Sequence, residues 1–102
     1  MRPRSLIATL RERFRLMASY RIEWKSSAAK ELRKLPSPVI KRVIEAVETL
    51  ASEPLPSGVR KLTGSENVYR IRVGDYRVVY AIIERRLVVE IVRVRNRKDA
   101  YK

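Results

Sequence analysis

The stretch Asn67–Tyr80, N-V-Y-R-I-R-V-G-D-Y-R-V-V-Y, constrains this chain more than any other. Two β-branched and aromatic runs, Val68 to Val73 and Tyr76 to Ile83, are separated only by Gly74 and Asp75. Gly at the first central position of a two-residue loop is the pattern of a type II′ turn joining antiparallel strands. So short a loop also sets the register, placing Arg72 opposite Arg77, Ile71 opposite Val78 and Tyr69 opposite Tyr80. Side chains alternate along a strand, so Tyr69, Ile71, Val73, Tyr76, Val78 and Tyr80 share a core face, and Arg70, Arg72 and Arg77 share the other. Like charges directly opposite each other in a sheet cost some tenths of a kcal/mol. Three arginines on one short face therefore call for an anion between them.

Charge over the whole chain points the same way. With 24 Lys and Arg against 11 Asp and Glu, the formal net charge is +13 in 102 residues. That excess implies a polyanionic partner, nucleic acid first and an anionic membrane second. The length suits one domain with a single core. Cysteine and histidine are both absent, which excludes disulfides, thiol nucleophiles, cysteine or histidine metal sites and histidine acid–base chemistry. Any catalysis must use Arg, Lys, Tyr or carboxylates. No apolar run is long enough for a transmembrane helix, and the composition is compatible with a reducing cytoplasm.

Residues 1–19 form a basic extension, with Arg2, Arg4, Arg11, Arg13 and Arg15 interleaved with Leu6, Ile7, Leu10, Phe14 and Met17 at helical spacing. Three readings fit: an RNA- or membrane-surface arm, an organelle-targeting peptide, or an upstream extension ahead of a start at Met17. The domain proper is expected over residues 20–102. Tyr20 to Lys25 alternates as a half-buried strand. Ser26 or Ser27 is a candidate cap for a helix carrying Ala28, Ala29, Leu32 and Leu35 and ending at Pro36. Ser37 as N-cap with Pro38 at the first helical position opens a second helix, whose stripe is Ile40, Val43, Ile44, Val47, Leu50 and Ala51. Glu53 to Gly58 is a loop with two prolines, and Val59 to Leu62 is a possible short extended piece.

After the hairpin, Glu84-Arg85-Arg86 turns the chain into a last strand, Leu87 to Arg95. A three-residue turn would set Arg93 opposite Arg77 and Val92 opposite Val78. Arg93 and Arg95 then join the basic face, Arg97 extends the row, and Glu90 falls awkwardly beside Tyr80 on the core side. The expected fold is α+β: an N-terminal strand, an antiparallel helical hairpin, then a three-stranded antiparallel meander, all strands in one sheet with the helices on one face.

Three segments together resemble the RelE/ParE superfamily of type II toxin–antitoxin toxins: A-A-K-E-L-R-K-L-P (Ala28–Pro36), V-Y-R-I-R-V-G-D-Y-R-V-V-Y (Val68–Tyr80) and V-R-N-R-K-D-A-Y (Val94–Tyr101). The likeness spans Tyr20 to Lys102 and is nearer the RelE branch, in which basic residues alternate before the turn, an arginine follows it, and an arginine and a tyrosine lie near the C terminus. The resemblance implies a microbial-ribonuclease-like fold and a cytoplasmic, metal- and cofactor-independent endoribonuclease. Such an enzyme cuts messenger RNA in the ribosomal A site by attack of a 2′-hydroxyl. It also implies a RelB-like antitoxin with an acidic amphipathic segment, and the ribosome and mRNA as partners, with no membrane partner.

By the same resemblance the catalytic positions are Arg70, Arg72, Arg77, Arg97 and Tyr101, and the RNA-binding ones Arg93, Arg95, Lys98 and Lys61. Arg70 and Arg72 stand where well-known nuclease members carry lysine, and an arginine is a poor general base. Two other functions compete: gyrase inhibition, as in the ParE branch, and RNA binding without catalysis.

Overall fold

The structure is a computed structural model, described here for residues 19–97. The elements are β1 (Arg21–Trp24), α1 (Ser26–Arg33), α2 (Ser37–Thr49), β2 (Arg60–Lys61), β3 (Val68–Val73), β4 (Tyr76–Ile83), one 3-10 turn (Glu84–Arg86) and β5 (Val88–Asn96). They form a five-stranded sheet in the order β1-β5-β4-β3-β2. β1 runs parallel to β5, and every other neighbouring pair is antiparallel. The expected α+β arrangement is therefore present, with β2 as an added edge strand.

Neither helix uses its serine as a cap. Ser26 and Ser37 are the first helical residues, preceded by Lys25 and Pro36, and no side-chain hydrogen bond caps either helix. Backbone does the work instead. The Pro36 carbonyl accepts from the amides of Val39 and Ile40 at 2.9 and 3.0 Å, and Lys25 accepts from Ala29 at 2.9 Å. Pro36 is extended (φ −58°, ψ 145°), so the residue expected to end one helix also opens the next. Pro38 follows as the second helical residue rather than the first.

The core lies between the helical hairpin and one sheet face. Ala28 and Leu32 of α1, and Val43, Val47 and Leu50 on and just past α2, meet Ile71, Val78, Tyr80, Ile82, Val89, Ile91 and Val94 from the three long strands. Tyr80 is completely buried, and its hydroxyl donates to the Pro54 carbonyl at 2.6 Å, tying the proline loop to the central strand. Burial, with the neighbouring Tyr69 adding to it, pushes the Tyr80 phenol well above its ordinary pKa.

The hairpin matches the sequence expectation pair for pair, from Tyr69 opposite Tyr80 to Val73 opposite Tyr76. Gly74 has φ +59°, whereas Asp75 stays at negative φ, as type II′ requires.

The last strand differs from expectation in two places. The link from β4 to β5 takes four residues, because Leu87 adopts a left-handed conformation (φ 51°, ψ 50°) after the 3-10 turn, and Ile83 faces Val88. A β-bulge then leaves Val92 without an opposite residue, between the pairs Tyr80/Ile91 and Val79/Arg93. Each event shifts the register by one, so Arg95, not Arg93, lies opposite Arg77, and Val94, not Val92, opposite Val78. Beyond the bulge the two shifts restore parity, and Arg93 and Arg95 remain on the basic face. Before the bulge parity is inverted. Glu90 therefore faces away from the core, opposite Ala81 and beside Glu23 of β1, while Val89 and Ile91 fill the core positions.

Candidate nucleic-acid interface

Helices cover one face of the sheet, and the other carries the arginines. Across β3, β4 and β5, Arg72, Arg77 and Arg95 lie in one row, with Arg70 and Arg93 flanking Val79 in the next. Between these rows is a depression of about 350 Å³, lined by Leu62, Val68, Val79, Val92 and the four arginines Arg70, Arg77, Arg93 and Arg95. Apolar side chains beneath guanidinium groups suit a phosphate with an attached sugar or base, since the cations meet charge and the aliphatic surface meets a ring.

Arg77 is the most unusual member. It is only 8% exposed, and its Nη1 is buried without a hydrogen-bond partner among the described residues. Buried polar atoms are almost always satisfied, and a buried unpaired donor costs on the order of 1–3 kcal/mol. Arg77 therefore lines the arginine-rich hollow with one of its guanidinium nitrogens unsatisfied among the described residues.

The remaining candidates separate by position. Arg72 is exposed and its Nε donates to the Gly74 carbonyl at 3.3 Å, at the hairpin turn outside the depression. Arg97 follows the end of β5, where its amide donates to the Asp75 carbonyl at 2.7 Å, so it too sits at the hairpin end. Lys61 pairs with Tyr69 and so takes the side of the sheet that carries the helices; Arg60, opposite Arg70, is the residue of β2 on the arginine side. Lys98 and Tyr101 lie outside the described residues.

Sequence reasoning missed two participants. Arg60 was hidden because a two-residue strand shows no alternation, and its parity is fixed only by pairing to Arg70. Glu31, on α1, reaches the far edge of β5: its Oε1 accepts from the Val94 amide at 3.1 Å and its Oε2 from Arg95 Nε at 3.0 Å. Nothing in the spacing of A-A-K-E-L-R-K-L-P signals that contact across 64 residues.

The face is also polarised along its length. Glu23 and Glu90 are neighbours in the β1–β5 register, and Glu23 pairs with Arg21 at 2.9 Å and Arg86 at 3.8 Å. Acidic and neutralised groups thus occupy the β1 end, and the arginine cluster, of which Arg95 pairs with Glu31, the hairpin end. Among the described residues, no cluster of carboxylates could hold a metal ion, and no helix is long and apolar enough to cross a membrane.

Comparison with known proteins agrees with this fold. The family profile described as ParE toxin of type II toxin–antitoxin system, parDE, matches residues 22–101. Toxin RelG of Mycobacterium tuberculosis is 34% identical over 87 residues, covering 81% of this chain and 97% of its own length. The archaeal RelE–RelB complex of Pyrococcus horikoshii superposes with a TM-score of 0.70 at 33% identity, over 78% of this chain and 96% of that one. The intact Escherichia coli RelBE toxin–antitoxin complex gives 0.68 at 28% identity, over 76% and 96%. A profile spanning most of the chain, relatives matched over nearly their whole length and a shared fold place this protein in the RelE/ParE superfamily of type II toxins, as a RelE-like member.

Proposed function

We propose that this toxin is a ribosome-dependent messenger-RNA endonuclease whose cleavage site is the arginine-lined depression. The observation that carries the reading is the buried, unpartnered Nη1 of Arg77 among Arg70, Arg93 and Arg95. Attack of a ribose 2′-hydroxyl on the adjacent phosphate concentrates negative charge on the phosphorane oxygens. Donors fixed in place before the reaction stabilise that charge without reorganising. Arg77 is such a donor, with Arg95 opposite it in β5 and Arg70 diagonal to it in β3. Arg97, at the hairpin end, and Tyr101 complete the set, with Tyr101 stacking on a base or bonding near the nucleophile.

No arginine in this set is a good general base, because guanidinium groups stay protonated at every relevant pH. The protein's contribution is therefore alignment and charge, with the ribosome holding the message in line. Arg93 and Arg95 of β5, with Lys98 further along the sequence, bind the flanking RNA, joined at the sheet edge by Arg60 rather than by Lys61, whose pairing with Tyr69 puts it on the helical side.

The partner we propose is an antitoxin with an acidic amphipathic segment, as the RelE–RelB assemblies among the structural neighbours suggest. Charge neutralisation drives such a segment to fold over the basic surface. It should cover part of the Arg70, Arg77 and Arg97 cluster and lose affinity as salt rises, less steeply than RNA does. Recovery of a neutral or basic partner that leaves those arginines uncovered would count against this.

The test is primer extension on messenger RNA bound to purified ribosomes, run beside a DNA gyrase supercoiling assay. Cuts that need both toxin and ribosome support the nuclease. Intact message with inhibited supercoiling supports the gyrase reading, to which the ParE name of the matching profile lends weight. RNA retention with neither activity leaves a binding module.

A further inference from the structure

The edge of β5 changes partner halfway along. β1 accompanies it from Val88 to Ile91, and the last bond of that pairing runs from the Lys25 amide to the Ile91 carbonyl at 3.0 Å. The chain then turns into α1, leaving the outer edge of β5 beyond Ile91 without a strand among the described residues. Glu31 takes over there. One carboxylate oxygen accepts from the Val94 amide, and the other accepts from Nε, the inner nitrogen of the Arg95 guanidinium. Arg95 lines the depression, lies opposite Arg77 and is partly buried.

We propose that Glu31 is a positioning residue for the RNA-binding face: it holds Arg95 by Nε so that the two outer nitrogens of the guanidinium are presented to a phosphate beside Arg77. A free arginine has several rotatable bonds to immobilise on binding, and side-chain ordering of that kind subtracts from affinity. Fixing Nε from behind removes part of that cost while leaving the bidentate fork open. Without an anchor, mutual repulsion would drive Arg95 away from Arg77. Because the same carboxylate also satisfies the Val94 amide, α1 is joined directly to the strand that carries the site. This inference rests on the depression being a phosphate site.

The sign of one substitution discriminates. Glu31→Gln keeps an oxygen for the Val94 amide but removes a negative charge next to the proposed polyanion site. If Glu31 only neutralises the arginines, its loss strengthens binding of a short single-stranded RNA oligonucleotide. If it positions Arg95, binding weakens, roughly two- to fivefold for a partly exposed pair of this kind. Arg95→Lys preserves charge and leaves Glu31 and the strand edge intact but lacks Nε, so it should weaken binding similarly and erase any further weakening by Glu31→Gln in the double variant.

The Arg95 side-chain Nε–Hε resonance of the full chain supplies a readout independent of RNA. It should be sharp and slow to exchange in the native protein and lost in Glu31→Gln. Unchanged or tighter RNA binding by Glu31→Gln, or equal weakening with and without Arg95→Lys, would overturn the assignment. Should Glu31→Gln fail to fold, full RNA affinity in Arg95→Lys would overturn it by itself, and weakened affinity there would uphold it. If the native chain binds no RNA, the proposed function falls, and the resonance still decides whether Glu31 holds Arg95.

Discussion

Tyr80 and Arg77 stand three residues apart on the same strand, both buried, and their surroundings are opposite. Tyr80 points into the helix-covered face, completely enclosed, with its one donor matched to the Pro54 carbonyl. Arg77 points to the open face, enclosed by its neighbours but with a nitrogen that nothing among the described residues satisfies. On the first face the buried hydroxyl is closed off and ties a loop to the central strand. On the second, a polar atom is kept open at a cost in stability. That difference supports placing the proposed function on the open face of the sheet, independently of any relative.

The largest effect expected from breaking this contrast is on catalysis. Removing one preorganised donor to developing charge typically lowers rate about a hundredfold or more. Arg77→Gln should therefore nearly abolish ribosome-dependent cleavage by primer extension. Its stability should hold or rise by some tenths of a kcal/mol, because a buried charge flanked by Arg72 and Arg95 is gone. A variant that loses activity only because it unfolds would erase the distinction between the faces.

On the core face the same strand should behave in the reverse manner. Tyr80→Phe leaves the Pro54 carbonyl without its donor and should cost about 1 kcal/mol in urea unfolding, with cleavage by the remaining folded protein unaffected. The native tyrosine also has a pH signature. Its folded pKa is raised above the unfolded value of about 10, so the folded state keeps its proton while the unfolded chain releases it. The contribution is complete below about pH 10 and declines as pH rises above that. Alkaline denaturation should be shallower in Tyr80→Phe than in the native protein.

The two faces were not equally legible in the sequence. Strict alternation and a two-residue turn determined which residues of β3 and β4 look inward, and every pair of that hairpin is as expected. β5 was harder, because neither the left-handed Leu87 nor the bulge at Val92 has a glycine or proline to announce it. Alternation nevertheless puts Arg93 and Arg95 on the correct face, since two single-residue shifts cancel in parity. Glu90 lies between the two shifts, and alternation puts it on the wrong one. The serine caps failed for a related reason: Lys25 and Pro36 already supply the extended residue and the carbonyl that each helix start requires. Glu31 was illegible because its partners come from the far end of the chain.

Within the arginine face, Arg70 and Arg72 sharpen the contrast further. They look equivalent in the sequence, both basic, both on the outer face of β3. Arg70 lines the depression, whereas Arg72 is turned to the Gly74 carbonyl. Arg70→Gln should lower cleavage by about tenfold or more and Arg72→Gln by only a fewfold, as expected when one donor faces the reacting phosphate and the other lies at the edge. Equal losses would move the reacting phosphate toward the hairpin turn.

The smallest effect is the most specific to geometry. Arg60 and Lys61 are adjacent, both exposed, and replacing either by Gln removes one positive charge from the same two-residue strand. Net charge and distance from the middle of the sheet are nearly matched, so a nonspecific electrostatic attraction would weaken equally in the two variants. Pairing separates them: Arg60 lies opposite Arg70 on the arginine side, and Lys61 opposite Tyr69 on the side of the helices. If RNA lies along the arginine face, Arg60→Gln should weaken oligonucleotide binding about two- to fourfold and lower the salt slope by about one phosphate contact. Lys61→Gln should leave the slope unchanged. The reverse ranking would place the RNA across the helical side, and the orphaned nitrogen of Arg77 would then need another ligand.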